Sequence, residues 1–139
     1  MAKRIATLVG VVFLLVGIVG FIAPHLLGAH LSLAHNLVHI ISGALALYFG
    51  LKGTLAQAKL FCIIFGVVYA LLGVVGFIAG SRGTFTIPGM TDMTDDRWLP
   101  VIKGTLELGT VDHVIHIVIG LLFLIGGFLT KADVSRAND

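Results

Sequence analysis

Four apolar stretches, at residues 5–23, 33–51, 60–79 and 111–129, constrain this chain more than any other feature. Each is long enough for a helix to cross about 30 Å of hydrocarbon, and there only a helix satisfies its own backbone hydrogen bonds. Pro24 and Gly28 stop the first run, Lys52-Gly53-Thr54 the second, Gly80-Ser81-Arg82-Gly83 the third, and Lys131 the fourth. Composition agrees with this reading. With 58% hydrophobic and 12% charged residues, the chain has about half the usual charge of a soluble domain, too little polar surface to cover a globule in water. The spans leave no room in these 139 residues for a large extramembrane catalytic domain.

Met1-Ala2-Lys3-Arg4 ahead of an apolar run has the form of a signal-peptide start. The run is longer than a typical h-region and a near-copy of it recurs within the chain, so it is read as a retained span. The nine Lys and Arg sit at span ends rather than on one face, which gives no footprint for nucleic acid. Lys3, Arg4, Lys52, Lys59, Lys131 and Arg136 fall on one side of the implied topology, and Arg82, Arg97 and Lys103 on the other. By the positive-inside rule both termini are expected to be cytoplasmic. Cys62 is the only cysteine and lies in an apolar run, so its expected role is packing.

The first and third spans are copies. Residues 10–23 align with residues 66–79 at an offset of 56, with ten of fourteen positions identical. The second and fourth spans match at an offset of 77, residues 36–43 on residues 113–120, so the second copy carries 21 additional residues in its outer loop. The expected fold is therefore all-α: a four-helix transmembrane bundle built as two parallel tandem helix-pair repeats, residues 4–52 and 60–131, within one domain of residues 1–139. Two such repeats enter the membrane in the same direction and imply a pseudo-twofold axis along the membrane normal, which makes helices two and four symmetry mates. Gly10, Gly17, Gly66 and Gly73 recur every seven residues and mark smooth stripes for close helix packing. The outer loop, residues 80–110, reads first as a solvated connector in which Trp98 anchors at the membrane interface, and second as a lid over an outer site.

His35 and His39 open the second span, and Asp112 and His116 open the fourth. An i,i+4 pair projects from one face of a helix, so the symmetry mates would face each other with three imidazoles and a carboxylate near the outer boundary. This donor set suits zinc, iron, copper, nickel or manganese, with Asn36 and His113 placed to orient the ligands. The competing explanation is polar residues that cap two helix starts and bond across the bundle. Ionisable groups inside spans are costly and often functional, which keeps the metal reading first. A third reading is a haem-like tetrapyrrole held by His39 and His116 as axial ligands. His25 and His30 have no matched partner and are read as interfacial. No catalytic residue is assigned, because no nucleophile, phosphate-loop or zinc-protease pattern occurs.

His35-Asn36-Leu37-Val38-His39 and Asp112-His113-Val114-Ile115-His116 carry a resemblance. The chain resembles, over about residues 5–130, a family of small four-span bacterial membrane proteins classed as a domain of unknown function, with an HNxxH motif opening the second span and a DNxxH motif opening the fourth. The chain departs at His113, where that family usually has Asn. The resemblance implies a fold and a bacterial inner-membrane location without a reaction. The function expected from the residues is a metal- or cofactor-binding membrane protein; the alternative is a non-catalytic accessory or assembly subunit that associates with other membrane subunits or with further copies of itself.

Overall fold

The computed structural model describes residues 1–131, so Arg136 of the charge count lies outside the described residues. Four long helices are present: α1 (Ala2–Val19), α2 (Leu33–Leu51), α3 (Leu55–Ala79) and α4 (Thr110–Phe128). All four are long and apolar enough to cross a membrane. At 1.5 Å per residue the shortest is about 27 Å long, close to the thickness of the hydrocarbon core.

The helix boundaries follow local chemistry. Ser32 caps α2 by accepting a hydrogen bond from the backbone N–H of His35 at 3.2 Å. Thr54 and Gln57 cap each other's backbone at the start of α3, which extends that helix five residues beyond the expected start. α1 ends at Val19, four residues before the expected end, and residues 20–32 form a loop with a short 3-10 turn at Leu26–Gly28.

The bundle turns aliphatic side chains outward and buries small residues, polar residues and a core of aromatic rings that includes Phe13, Phe61, Tyr69 and Phe123. Leu15, Ile41, Leu71 and Val118 are exposed, while Gly10, Gly43, Ala46, Gly73 and Gly120 are buried. A bilayer supplies no hydrophobic drive between helices, so close approach of small residues holds the spans together. A Cβ on Gly43 would lie 2.9 Å from the Gly10 carbonyl oxygen, so neither position has room for a side chain.

α1 packs along α2 and α3 along α4, and α1 joins the two hairpins by touching both α3 and α4. Matched residues make matched contacts. Gly17 lies against Asn36 and Ile40, and Gly73 against His113 and Ile117; Gly20 faces the Asn36 side chain, and Gly76 the His113 ring. The expected lengthwise pairing of α2 with α4 does not occur. The glycine stripes draw each helix onto its own hairpin partner, and α2 and α4 meet through the rings of His35 and His116.

The expected all-α four-helix architecture holds, and the long loop adds a small sheet to it. Residues 80–109 contain a three-stranded antiparallel sheet in the order β1 (Ser81–Thr84), β2 (Thr94–Ile102) and β3 (Leu106–Leu108). Pro100 stands where the β2–β3 register shifts, a bulge position that spares the ladder the N–H it lacks. Phe85, Ile87 and Met90 form a small core with Met93 and Trp98. Glu107 is fully buried and accepts hydrogen bonds from the Thr86 N–H (2.8 Å) and hydroxyl, the Trp98 indole N–H (2.9 Å) and the Gly104 N–H (2.7 Å). Trp98 is therefore bonded and packed within the cap.

Candidate functional site: a histidine layer under the cap

The cap is bonded to the ends of the helices. The Ser32 hydroxyl donates to the Thr105 carbonyl at 2.8 Å, and the His113 Nε2–H donates to the Arg97 carbonyl at 2.7 Å. Asp95 accepts from the Thr110 hydroxyl at 2.6 Å and from the Thr110 N–H at 3.0 Å. Burial works to raise the pKa of Asp95, but these bonds and one from the Arg97 N–H outweigh it and hold the carboxyl below its ordinary value. Glu107 is held low in the same way: burial opposes ionisation, and the donors from Gly104, Thr86 and Trp98 prevail.

Beneath the cap, His35, His39 and His116 form one layer. The His35 and His39 rings stack at 4.6 Å with planes 19° apart, and the His35 and His116 centroids are 6.0 Å apart. Phe13 packs on His39 at 5.1 Å, and Tyr69 on His116 at 5.4 Å. The repeat offsets relate these two pairs: Phe13 corresponds to Tyr69, and His39 to His116. The Tyr69 hydroxyl donates to the Ser42 hydroxyl at 3.2 Å.

The three rings are each more than nine-tenths buried. His35 donates its Nδ1–H to the His30 carbonyl at 2.8 Å, which leaves its Nε2 as a lone pair while the ring is neutral. Among the described residues the Nδ1 atoms of His39 and His116 are buried without a hydrogen-bond partner, as are His113 Nδ1 and Asn36 Oδ1. Two apolar cavities flank the layer, about 270 Å³ on the α2–α3 side and about 280 Å³ on the α1–α4 side, and all three histidines line both.

Asp112, the fourth expected ligand, lines the α1–α4 cavity with the three histidines and is bonded to the loop and helix start beside it. Its carboxylate accepts from the His30 N–H at 3.2 Å, from the His30 Nδ1–H at 3.2 Å and from the Gly109 N–H at 2.8 Å. It therefore caps α4 and fastens the α1–α2 loop. Among the described residues no group of three or more His, Cys, Asp or Glu is placed to hold a metal ion. Asn36 and His113 do not reach the layer: Asn36 bonds to the Leu31 carbonyl at 3.4 Å, and His113 bonds to the cap.

His30 is buried and stacks on Phe85 at 3.9 Å, which corrects its reading as an interfacial residue. It lies in a loop with no counterpart in the second repeat, so the repeat gave no signal for it. Tyr69 did leave one, because it is a hydroxyl-bearing replacement for Phe13 within a run that is otherwise largely copied.

No curated protein and no solved structure matches the chain. Residues 3–129 match a family described as a domain of unknown function, DUF4383, and the chain belongs to that family.

Proposed function

We propose that this integral membrane protein is a binding protein that holds a small cofactor at the histidine layer of His35, His39 and His116, where α2 and α4 meet beneath the cap. One observation carries the reading. The Nδ1 atoms of His39 and His116 are buried without a hydrogen-bond partner among the described residues, on rings that line both flanking cavities. A buried polar group without a partner costs about 1–3 kcal/mol; His113 Nδ1 and Asn36 Oδ1 are orphaned too, but they lie outside both cavities, whereas the His39 and His116 nitrogens stand where a ligand could meet them. Ionisable residues within spans are functional by default, and apolar cavities with a few convergent polar groups are the usual form of a ligand site.

A transition-metal ion is the second reading, favoured by His35. Its Nδ1–H is donated to a carbonyl and its Nε2 is left free, as in an imidazole ligand oriented from behind. In this version His35, His39 and His116 would be the residues that hold zinc, iron, copper or manganese, and Asp112 would act through His30, whose carbonyl orients His35. A tetrapyrrole fits less well, because the His35 ring lies against both His39 and His116 and a macrocycle between them would have to displace it. The charge distribution supports cytoplasmic termini and a cap on the outer side of the membrane.

The test is to purify the protein in mild detergent, without chelator or metal-affinity resin, and assay it for metals and for extractable organic molecules. Stoichiometric occupancy in the wild type, lost in folded His39→Leu and His116→Leu variants, is the expected result. Wild-type protein that carries neither metal nor organic ligand would leave the accessory or assembly role, in which the polar residues only lock helices together.

A further inference from the structure

We infer that the occupant is a lipid-soluble molecule with a ring hydroxyl, of the phenol or quinol class, that enters the layer sideways from the bilayer between α2 and α3. This inference deepens the proposed binding role of the histidine layer and rests on it.

The route follows from the walls of the cleft. Val38, Phe65, Val68 and Leu72 line it, and Leu108 of the cap lies over it. Val38 and Val68 are also exposed on the outer face of the bundle, so the mouth opens toward lipid rather than water. At its inner end stand His35, His39, His116, Ser42 and Tyr69. A molecule that partitions into the bilayer thus reaches the polar groups without crossing the cap.

The hydroxyl follows from the donor and acceptor inventory. His35 has already given its Nδ1–H to the His30 carbonyl, so the neutral ring offers the cleft it lines a lone pair on Nε2, which can accept from a donor. Tyr69 has given its hydroxyl hydrogen to Ser42, so the phenol oxygen has only lone pairs to offer. His39 and His116, while neutral, each bring one N–H and one lone pair. A ligand with carbonyl oxygens alone satisfies an imidazole N–H but leaves the His35 lone pair unpaired. A hydroxyl donates to one ring and accepts from another. A charged ligand is disfavoured by the apolar surroundings.

The ring follows from the lining. The stacked imidazoles of His35 and His39, at 4.6 Å, and the rings of Phe65 and Tyr69, 6.2 Å apart with planes inclined by 29°, give the cleft aromatic walls suited to a planar partner. A flexible alkyl alcohol gains nothing from them.

The experiment uses protein with 15N-labelled histidine in lipid nanodiscs, in oxygen-free reducing buffer, and reads the ring nitrogens in long-range 1H–15N spectra. The probes are a decyl-tailed benzoquinol, the matching benzoquinone with the reductant omitted, decanol, and zinc. Saturable quinol shifts at His35, His39 and His116 are expected. The quinone should bind at least about tenfold more weakly, since it leaves a buried acceptor unpaired, and decanol should move nothing. Val68→Trp, at an exposed position on the mouth, should abolish the quinol shifts while leaving the fold intact. Equal binding of quinol and quinone, shifts caused by decanol, or quinol binding unaffected by Val68→Trp would overturn the inference. Zinc shifts without quinol shifts would overturn it too, yet leave the histidine layer as a binding site. Rings that no probe moves, in protein that purifies empty, would remove both.

Discussion

The His30 imidazole and the Asp112 carboxylate, 82 positions apart, meet at 3.2 Å in a fully enclosed pair that fastens the α1–α2 loop to the first turn of α4. The carbonyl of His30 in turn orients His35. One carboxylate thus links the cap, a helix start and the histidine layer.

Asp112→Asn should disturb all three together. The amide places an NH2 against groups that already donate, so one buried donor loses its acceptor, at a cost of about 1–3 kcal/mol. Thermal unfolding in detergent should show a clear loss of Tm, and the His35 ring signals should move. Wild-type stability with unchanged His35 signals would mean that the clasp does not support the layer.

His39→Leu and His116→Leu should leave the ligand-free protein as stable as the wild type, or raise its stability by up to about 1 kcal/mol, because each removes an unpartnered polar ring from an apolar setting. A fall in Tm without ligand would show instead that the imidazoles are structural, as the assembly reading requires.

The cap should have its own acid limit. Asp95 and Glu107 are both held below their ordinary pKa values, so each contributes stability that is present above its unfolded-state value. This contribution is lost as pH falls through the folded-state value. Protection of the cap amides, read by hydrogen exchange, should therefore be level at neutral pH and decline only below about pH 4. Glu107→Gln should lower protection at neutral pH, because its carboxylate serves three residues at once, and the difference from the wild type should shrink as Glu107 protonates in acid. Cap protection that falls between pH 7 and 5 would point to another group.

A reporter fused after residue 139 should be cytoplasmic, and one inserted near Met93, in the cap, should be external. The six-to-three split of Lys and Arg motivates this expectation. The reverse pattern would put the cap and the histidine layer on the cytoplasmic side.

What the sequence determined by itself is what depends on distance along the chain. The length of each apolar run sets a span, the offsets of 56 and 77 relate the spans in pairs, and the i,i+4 spacing puts His35 with His39 on one face and Asp112 with His116 on another. Spacing names a face but not a partner, and the partners came only from tertiary structure. The Asp112 side chain, which lines one cavity beside the three histidines, turned back to Gly109 and across to His30, because exposed N–H groups at a helix start and a loop imidazole competed for it. The cap was hidden for a similar reason. Two of its strands have only four and three residues, the long one carries Pro100 at a register shift, and its order depends on Glu107 collecting donors from Thr86, Trp98 and Gly104 once the chain has folded over. Glycine stripes were legible as places of close approach, yet which helix each would meet was decided by packing, which joined α1 to α2 and α3 to α4 and left the histidines as the meeting point of α2 and α4.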